Sequence, residues 1–181
     1  MPAPKKTYRT RVSGFLRPRH VVTDEDGKEV GVLQVHRNRV GLIVRAVWTP
    51  SKGEVLEIKR DPGLLRAQFA CWTEGREWLG STIRPGFTRR TIEMWTGGKP
   101  LRLVPRLALG RGWRIVGAKS GLVAELEHSL LGRDATLSTY RKIDLELLVF
   151  AYFVGSIALW ESALPTSLEA VDRGSTATAR G

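Results

Sequence analysis

Leu145-Glu-Leu-Leu-Val-Phe-Ala-Tyr-Phe-Val-Gly-Ser-Ile-Ala-Leu-Trp160 decides the fold of this chain. The stretch is apolar on every face and reads as a single helix. Such a helix must be buried all round, in protein or in lipid. Its uninterrupted part, Leu147 to Trp160, has 14 residues, about 21 Å at 1.5 Å per residue. A bilayer core near 30 Å takes about 20 residues. Asp144 and Glu146 bound the run on one side, and Glu161 and Pro165 on the other. Asp144 is placed to cap the helix, where a carboxylate can accept from unpaired backbone amides. Small residues (Ala151, Gly155, Ser156, Ala158) alternate with large rings (Phe150, Tyr152, Phe153, Trp160). The length and this mix predict a core helix, over about 142–161, surrounded by protein. A membrane tail anchor is the other reading.

Working backwards, everything before this helix reads as strand. Short alternating runs such as Glu54-Val-Leu-Glu-Ile-Lys59 flank Gly-containing turns. The turns are Asp24–Gly27, Pro50–Gly53, Thr73–Gly75, Thr96–Gly98 and Ala118–Gly121, their glycines 22 to 26 residues apart. Glycine supplies the positive φ that tight hairpins require. Five hairpins, with outer strands near Val12–Leu16 and Ala135–Tyr140, predict roughly ten to twelve antiparallel strands. A sheet that long closes to remove its edges. A closed barrel of that many strands is too wide to be filled by its own side chains. The apolar helix is the one segment able to fill the bore. The expected organisation is a disordered basic arm over 1–7, one barrel domain over 8–163 and a disordered tail over 164–181.

Several of these units resemble one known superfamily. Val21-Val-Thr-Asp-Glu-Asp-Gly-Lys-Glu-Val-Gly31 is similar to the repeated hairpin of tubby-like C-terminal domains. So are Phe69–Gly80 and Trp113–Glu125, and the ending Tyr140–Phe153 matches the apolar helix after the last strand. The resemblance spans roughly residues 8 to 160. It is nearest to the small single-domain branch, the phospholipid-scramblase-like and LURP-one-related proteins. It implies a mainly β fold: a closed antiparallel barrel of about twelve strands around one buried C-terminal helix. Tubby domains bind phosphoinositides, and scramblase-like members are associated with anionic phospholipids. The cysteine-rich palmitoylation segment of scramblases has no counterpart here.

The formal net charge of +11 over 181 residues favours an anionic partner. Lys5, Lys6, Arg9, Arg11, Arg17 and Arg19 precede the first acid. Between Trp78 and Ala124 lie Arg84, Arg89, Arg90, Lys99, Arg102, Arg106, Arg111, Arg114 and Lys119, with Glu93 as the single acid. The rest of the chain is net acidic. Arginine forks hold phosphate oxygens in pairs, and a Gly-rich loop such as Arg102–Arg114 exposes backbone amides. The candidate anion- and phospholipid-binding residues are therefore Arg84, Arg89, Arg90, Arg102, Arg106, Arg111, Arg114 and Lys119. The alternative is that these are solvated outward strand positions.

Other features argue against chemistry. Six tryptophans could stack single-stranded nucleic acid, but Trp48, Trp72 and Trp95 each fall just before a turn, which predicts core filling. His20, His36 and His128 lack metal-ligand spacing, and Asp24–Glu29 is too short for an EF-hand loop. Cys71 is the single cysteine and sits in an apolar strand, so an inert thiol in a reducing compartment is expected. No nucleotide or hydrolase fingerprint is present. The N-terminal residues lack the apolar core of a secretory signal. The expectation is a non-enzymatic protein with no cofactor and no metal, cytoplasmic and peripheral on the inner membrane face. It binds anionic phospholipid headgroups. A nucleic-acid-binding β-barrel, or a structural or partner-binding module without a ligand, are the alternatives.

Overall fold

A computed structural model describes residues 3–14, 18–39, 43–60, 68–75, 77–83, 91–98, 100–106, 112–129 and 134–161. The strands are β1 (Lys6–Ser13), β2 (Arg19–Thr23), β3 (Glu29–Arg37), β4 (Ile43–Pro50), β5 (Leu56–Arg60) and β6 (Phe69–Thr73). They continue as β7 (Trp78–Ile83), β8 (Ile92–Thr96), β9 (Leu101–Pro105), β10 (Gly112–Gly117), β11 (Gly121–His128) and β12 (Asp134–Thr139). A single helix follows, α1 (Leu145–Glu161). Each strand pairs antiparallel with its chain neighbour, and β1 pairs with β12 to close the barrel. The five anticipated turns join β2–β3, β4–β5, β6–β7, β8–β9 and β10–β11, all at one end, called here the hairpin end. Gly27, Gly53 and Gly121 have positive φ, whereas Gly75 and Gly98 do not.

Two boundaries differ from the sequence reading. Strand β1 begins inside the expected arm, because Lys6 and Thr7 pair with Thr139 and Ser138 of β12. The helix begins at Leu145, not 142. Asp144 does stand at the cap position, where its carbonyl accepts from Leu148 N–H at 3.0 Å. Among the described residues its carboxylate bonds no first-turn amide; it acts only as a negative charge near the helix N-terminus. The expected tail, 164–181, lies outside the described residues.

The helix runs through the bore from the hairpin end. Leu148 to Val154 are all buried, and they form one core with the inward residues of the wall. Contacts at three places spaced evenly round the barrel locate it. On β2, His20 Nδ1 lies 2.7 Å from Tyr152 Oη. On β6, the Phe69 ring meets Phe153 edge-on at 5.3 Å between centroids. On β10, Trp113 Nε1 donates to the Gly155 carbonyl at 3.1 Å. Among the described residues no helix is long and apolar enough to cross a membrane.

Strand alternation sorts the tryptophans differently from the turn-position reading. Trp48, two residues before the end of β4, points inward and is fully buried. Trp72 and Trp95 stand one residue before the ends of β6 and β8, so their parity is opposite and they face outward. With Trp78 they form the exposed outer wall of β6–β8, at 37%, 48% and 40% exposure for Trp72, Trp95 and Trp78. Cys71, inside the wall, is buried, and burial followed by the charge of Glu146 pushes its thiol up to about 12.

One polar group sits in the bore near the end opposite the hairpins. Thr10 Oγ1 donates to Tyr152 Oη at 3.2 Å, and the His128 ring stacks on Tyr152 at 6.0 Å. Burial, then the charges of His128 and Arg37, lower the His20 pKa to about 4; burial lowers that of His128. Both imidazoles are therefore neutral at neutral pH.

Two outcomes follow. A methyl group at Gly155 would lie 2.8 Å from Trp113 Cδ1, on a buried indole that cannot retreat. Overpacking of about 1–3 kcal/mol exceeds the roughly 1 kcal/mol gain in helix propensity, so Gly155→Ala lowers stability in urea titrations. For His20, a folded pKa below the unfolded 6.5 means that the unfolded chain binds more protons in acid. Its stabilising contribution is full above pH 6.5 and is lost as pH falls towards 4. Between pH 7.5 and 4 the native chain loses about 3 kcal/mol more than His20→Gln, measured by denaturant unfolding at each pH.

Candidate anion-binding surface

The outward positions of the wall carry the charge, and cross-strand register decides which charges meet. On β9, Arg102 stands opposite Glu93 of β8, and its Nε lies 3.8 Å from Glu93 Oε1. On β10, Arg114 faces Glu125 of β11, and its Nε donates to Oε1 at 2.8 Å. Tyr140 donates its hydroxyl to the other oxygen of Glu125 at 2.9 Å. Arg106, just past β9, is ion-paired with Glu127. Although it faces outward, Glu125 is only 5% exposed beneath these partners. Its burial acts to raise the carboxyl pKa. The hydrogen bonds from Arg114 and Tyr140 and the charges of Arg106 and Arg114 outweigh that, and the pKa ends below the ordinary value.

So three of the eight sequence candidates, Arg102, Arg106 and Arg114, are gathered on one wall and each is engaged by a carboxylate. Lys119 lies in the β10–β11 turn at the hairpin end, exposed and without an ion pair among the described residues. Arg84, Arg89, Arg90 and Arg111 lie outside the described residues.

A second cluster comes from β1 and β2, three to five strands round the barrel from the first. Arg9 and Arg11 are outward neighbours on β1, about 7 Å apart along the strand. Arg19 enters on β2 beside Ser13. All three are exposed, and none has an ion pair among the described residues. Arg9 faces Thr23 and Thr136, Arg11 faces Val21 and Asp134, and Arg19 faces Ser13 and Gln34. Carboxylates of the adjoining turn are turned to backbone amides: Glu25 accepts from Thr7 N–H at 2.6 Å, and Asp24 from Asp26 and Lys28 N–H at 3.1 and 2.9 Å. The Arg9-Thr-Arg11 spacing was the available signal, since i and i+2 on a strand share a face. Among the described residues no group of three or more His, Cys, Asp or Glu could hold a metal ion.

Comparison with known proteins bears on the fold. The chain is similar to the X-ray structure of a protein from Arabidopsis thaliana, AT5G01750, with a TM-score of 0.53 and 15% identity, over 86% of this chain and 91% of that one. No family model and no curated protein matches the sequence. At this identity the similarity shows a common fold.

The buried pair on β10–β11 yields a stability test. Removing the Arg114 guanidinium leaves an almost fully covered carboxylate with the Tyr140 hydroxyl. Arg114→Ala is expected to lose about 1–3 kcal/mol, whereas Arg102→Ala, whose pair is exposed, changes stability by less than about 1 kcal/mol. Parallel thermal and urea denaturation of the two variants measures the contrast.

Proposed function

We propose that this protein binds anionic phospholipid headgroups peripherally and without catalysis, at the cytoplasmic face of a membrane, through the outer wall of β1–β2. The observation that carries the reading is the set of exposed arginines Arg9, Arg11 and Arg19, without ion pairs among the described residues, with Lys5 and Lys6 exposed beside them. An arginine already committed to a carboxylate must give it up to take a phosphate. An unpaired one need not, and its planar fork accepts two phosphate oxygens. Each basic group near an anionic bilayer contributes about 1 kcal/mol. Three arginines therefore support weak, reversible, salt-sensitive attachment. The sequence resemblance to tubby-like domains, which bind phosphoinositides, and to scramblase-like proteins, which are associated with anionic phospholipids, supports the same reading.

Nucleic-acid binding is less well supported by the layout. A single-strand platform needs aromatic rings beside basic groups. The exposed Trp72, Trp78 and Trp95 lie on β6–β8, half-way round the barrel from Arg9 and Arg11 on β1. Among the described residues, two cations on the strands flanking that wall are occupied: Lys59 on β5 holds Glu57 at 2.8 Å, and Arg102 on β9 lies 3.8 Å from Glu93.

Co-sedimentation with vesicles tests the proposal. The chain is expected to bind vesicles containing phosphatidylserine and not those of phosphatidylcholine alone. Binding should vanish near 1 M salt, where the screening length falls to about 3 Å. The triple variant Arg9→Gln, Arg11→Gln, Arg19→Gln should lose binding, and Arg102→Gln should retain it. Undiminished binding by the triple variant, or binding indifferent to salt, refutes this surface.

A further inference from the structure

The hairpin end of the barrel holds a cavity of about 820 Å³, open to solvent, between the first turn of α1 and the wall. Its inner lining is apolar, with Leu56 from β5, Leu79 from β7, Leu101 from β9 and Leu147 from the helix. Two causes leave it unfilled. The helix is fully buried only from Leu148 onward, so its first turn does not press against this side of the bore. The β8–β9 turn carries Gly97 and Gly98, at which an added Cβ would meet nothing within 4 Å. Neither glycine carries a side chain to cover the opening. The mouth of a β-barrel is a recurrent place for small-molecule sites.

The charges of the described lining residues favour one class of occupant. Glu146 projects from the first helical turn, half-buried, and lines the cavity without a hydrogen bond or ion pair among the described residues. Its charge is felt inside the bore: burial first raises the pKa of Cys71 and Tyr8, and Glu146 adds to it, for Tyr8 after Asp24 and Glu25. Glu54 and Asp144 stand exposed at the rim, also unpaired among the described residues, together with the half-exposed Trp78. Arg141 and Lys142 line the rim too, but both are exposed. A carboxylate among apolar side chains acts more strongly than rim cations in water, because the local dielectric is lower. An anion entering the cavity meets Glu146. A cation meets Glu146 within and the Trp78 ring at the entrance, which attracts ammonium groups by its quadrupole.

We infer that this cavity is a binding site for a small amphiphile with a cationic amine head, its apolar body against the leucines and its ammonium group between Glu146 and Trp78. The site lies at an end of the barrel, apart from the β1–β2 arginines, and does not depend on phospholipid binding.

Calorimetric titration of the full chain with hexyltrimethylammonium tests it, with hexanesulfonate and hexanol as probes that share the tail. Saturable one-to-one binding of the ammonium probe is expected, tighter than that of either control. Loss of a charged contact predicts that Glu146→Gln weakens ammonium binding by about tenfold or more and leaves hexanol binding unchanged. Glu54→Gln, at an exposed position that the fold does not need, should weaken it in the same direction by a smaller factor. Thermal melting of both variants confirms that they are folded. The triple arginine variant should bind the ammonium probe like the native chain, which separates this site from the phospholipid surface. Equal binding of all three probes, no binding of the ammonium probe, or an ammonium affinity untouched by both glutamate substitutions overturns the inference.

Discussion

The structure rests on mutual burial of an apolar rod and a wall that cannot fill itself. Twelve strands enclose a bore wider than their own inward side chains can pack. Leu148–Val154 supply the missing volume and shed their water in the same step. Neither part is stable by itself. An open twelve-stranded sheet would expose its inner face and two edges, and the helix would expose rings on every side. Closure between β1 and β12, the longest-range pairing in the barrel, is therefore coupled to insertion of the last element of the chain.

A helix that is apolar all round has no hydrophobic direction to set its rotation in the bore. Polar contacts do so instead. Tyr152 meets Thr10 and His20 on β1 and β2, and Trp113 reaches the Gly155 carbonyl from β10. Each contact satisfies a polar atom that would otherwise be buried without a partner. Any other rotation forfeits them while keeping nearly the same buried area. Fit to the wall fixes depth and polar contacts fix angle, and Gly155 is the residue through which the Trp113 indole gains its approach.

Outside the barrel, register sorts a strongly basic chain into engaged and available cations. Arg102 with Glu93 and Arg114 with Glu125 are cross-strand partners, and Arg106, just past β9, reaches across β10 at Gly112 to Glu127 on β11. The stretch from Trp78 to Ala124 looks the most basic in the sequence because two of its acids, Glu125 and Glu127, lie just beyond its end. Folding brings them back onto it. Arg11 stands opposite Asp134, yet among the described residues Arg9, Arg11 and Arg19 form no ion pair, so a shorter run of charge presents the freer surface. The tryptophans show the same dependence: a shift of one position along a strand exchanges core for solvent, and that separates Trp48 from Trp72 and Trp95.

By itself the sequence determined the elements: five glycine-marked hairpins, strands of period two, and one helix whose length and all-round apolarity suit a protein interior. These are local properties, written in residue order and carried by backbone sterics and hydrophobic periodicity. Tertiary structure alone decided the rest. It set which cations are paired with a carboxylate, which tryptophans face water, how the helix is turned, and that an unfilled mouth with Glu146 inside it remains beside its first turn. Those features arise from pairs of residues distant in the chain, whose meeting depends on strand register and barrel closure, and neither is encoded in any single segment.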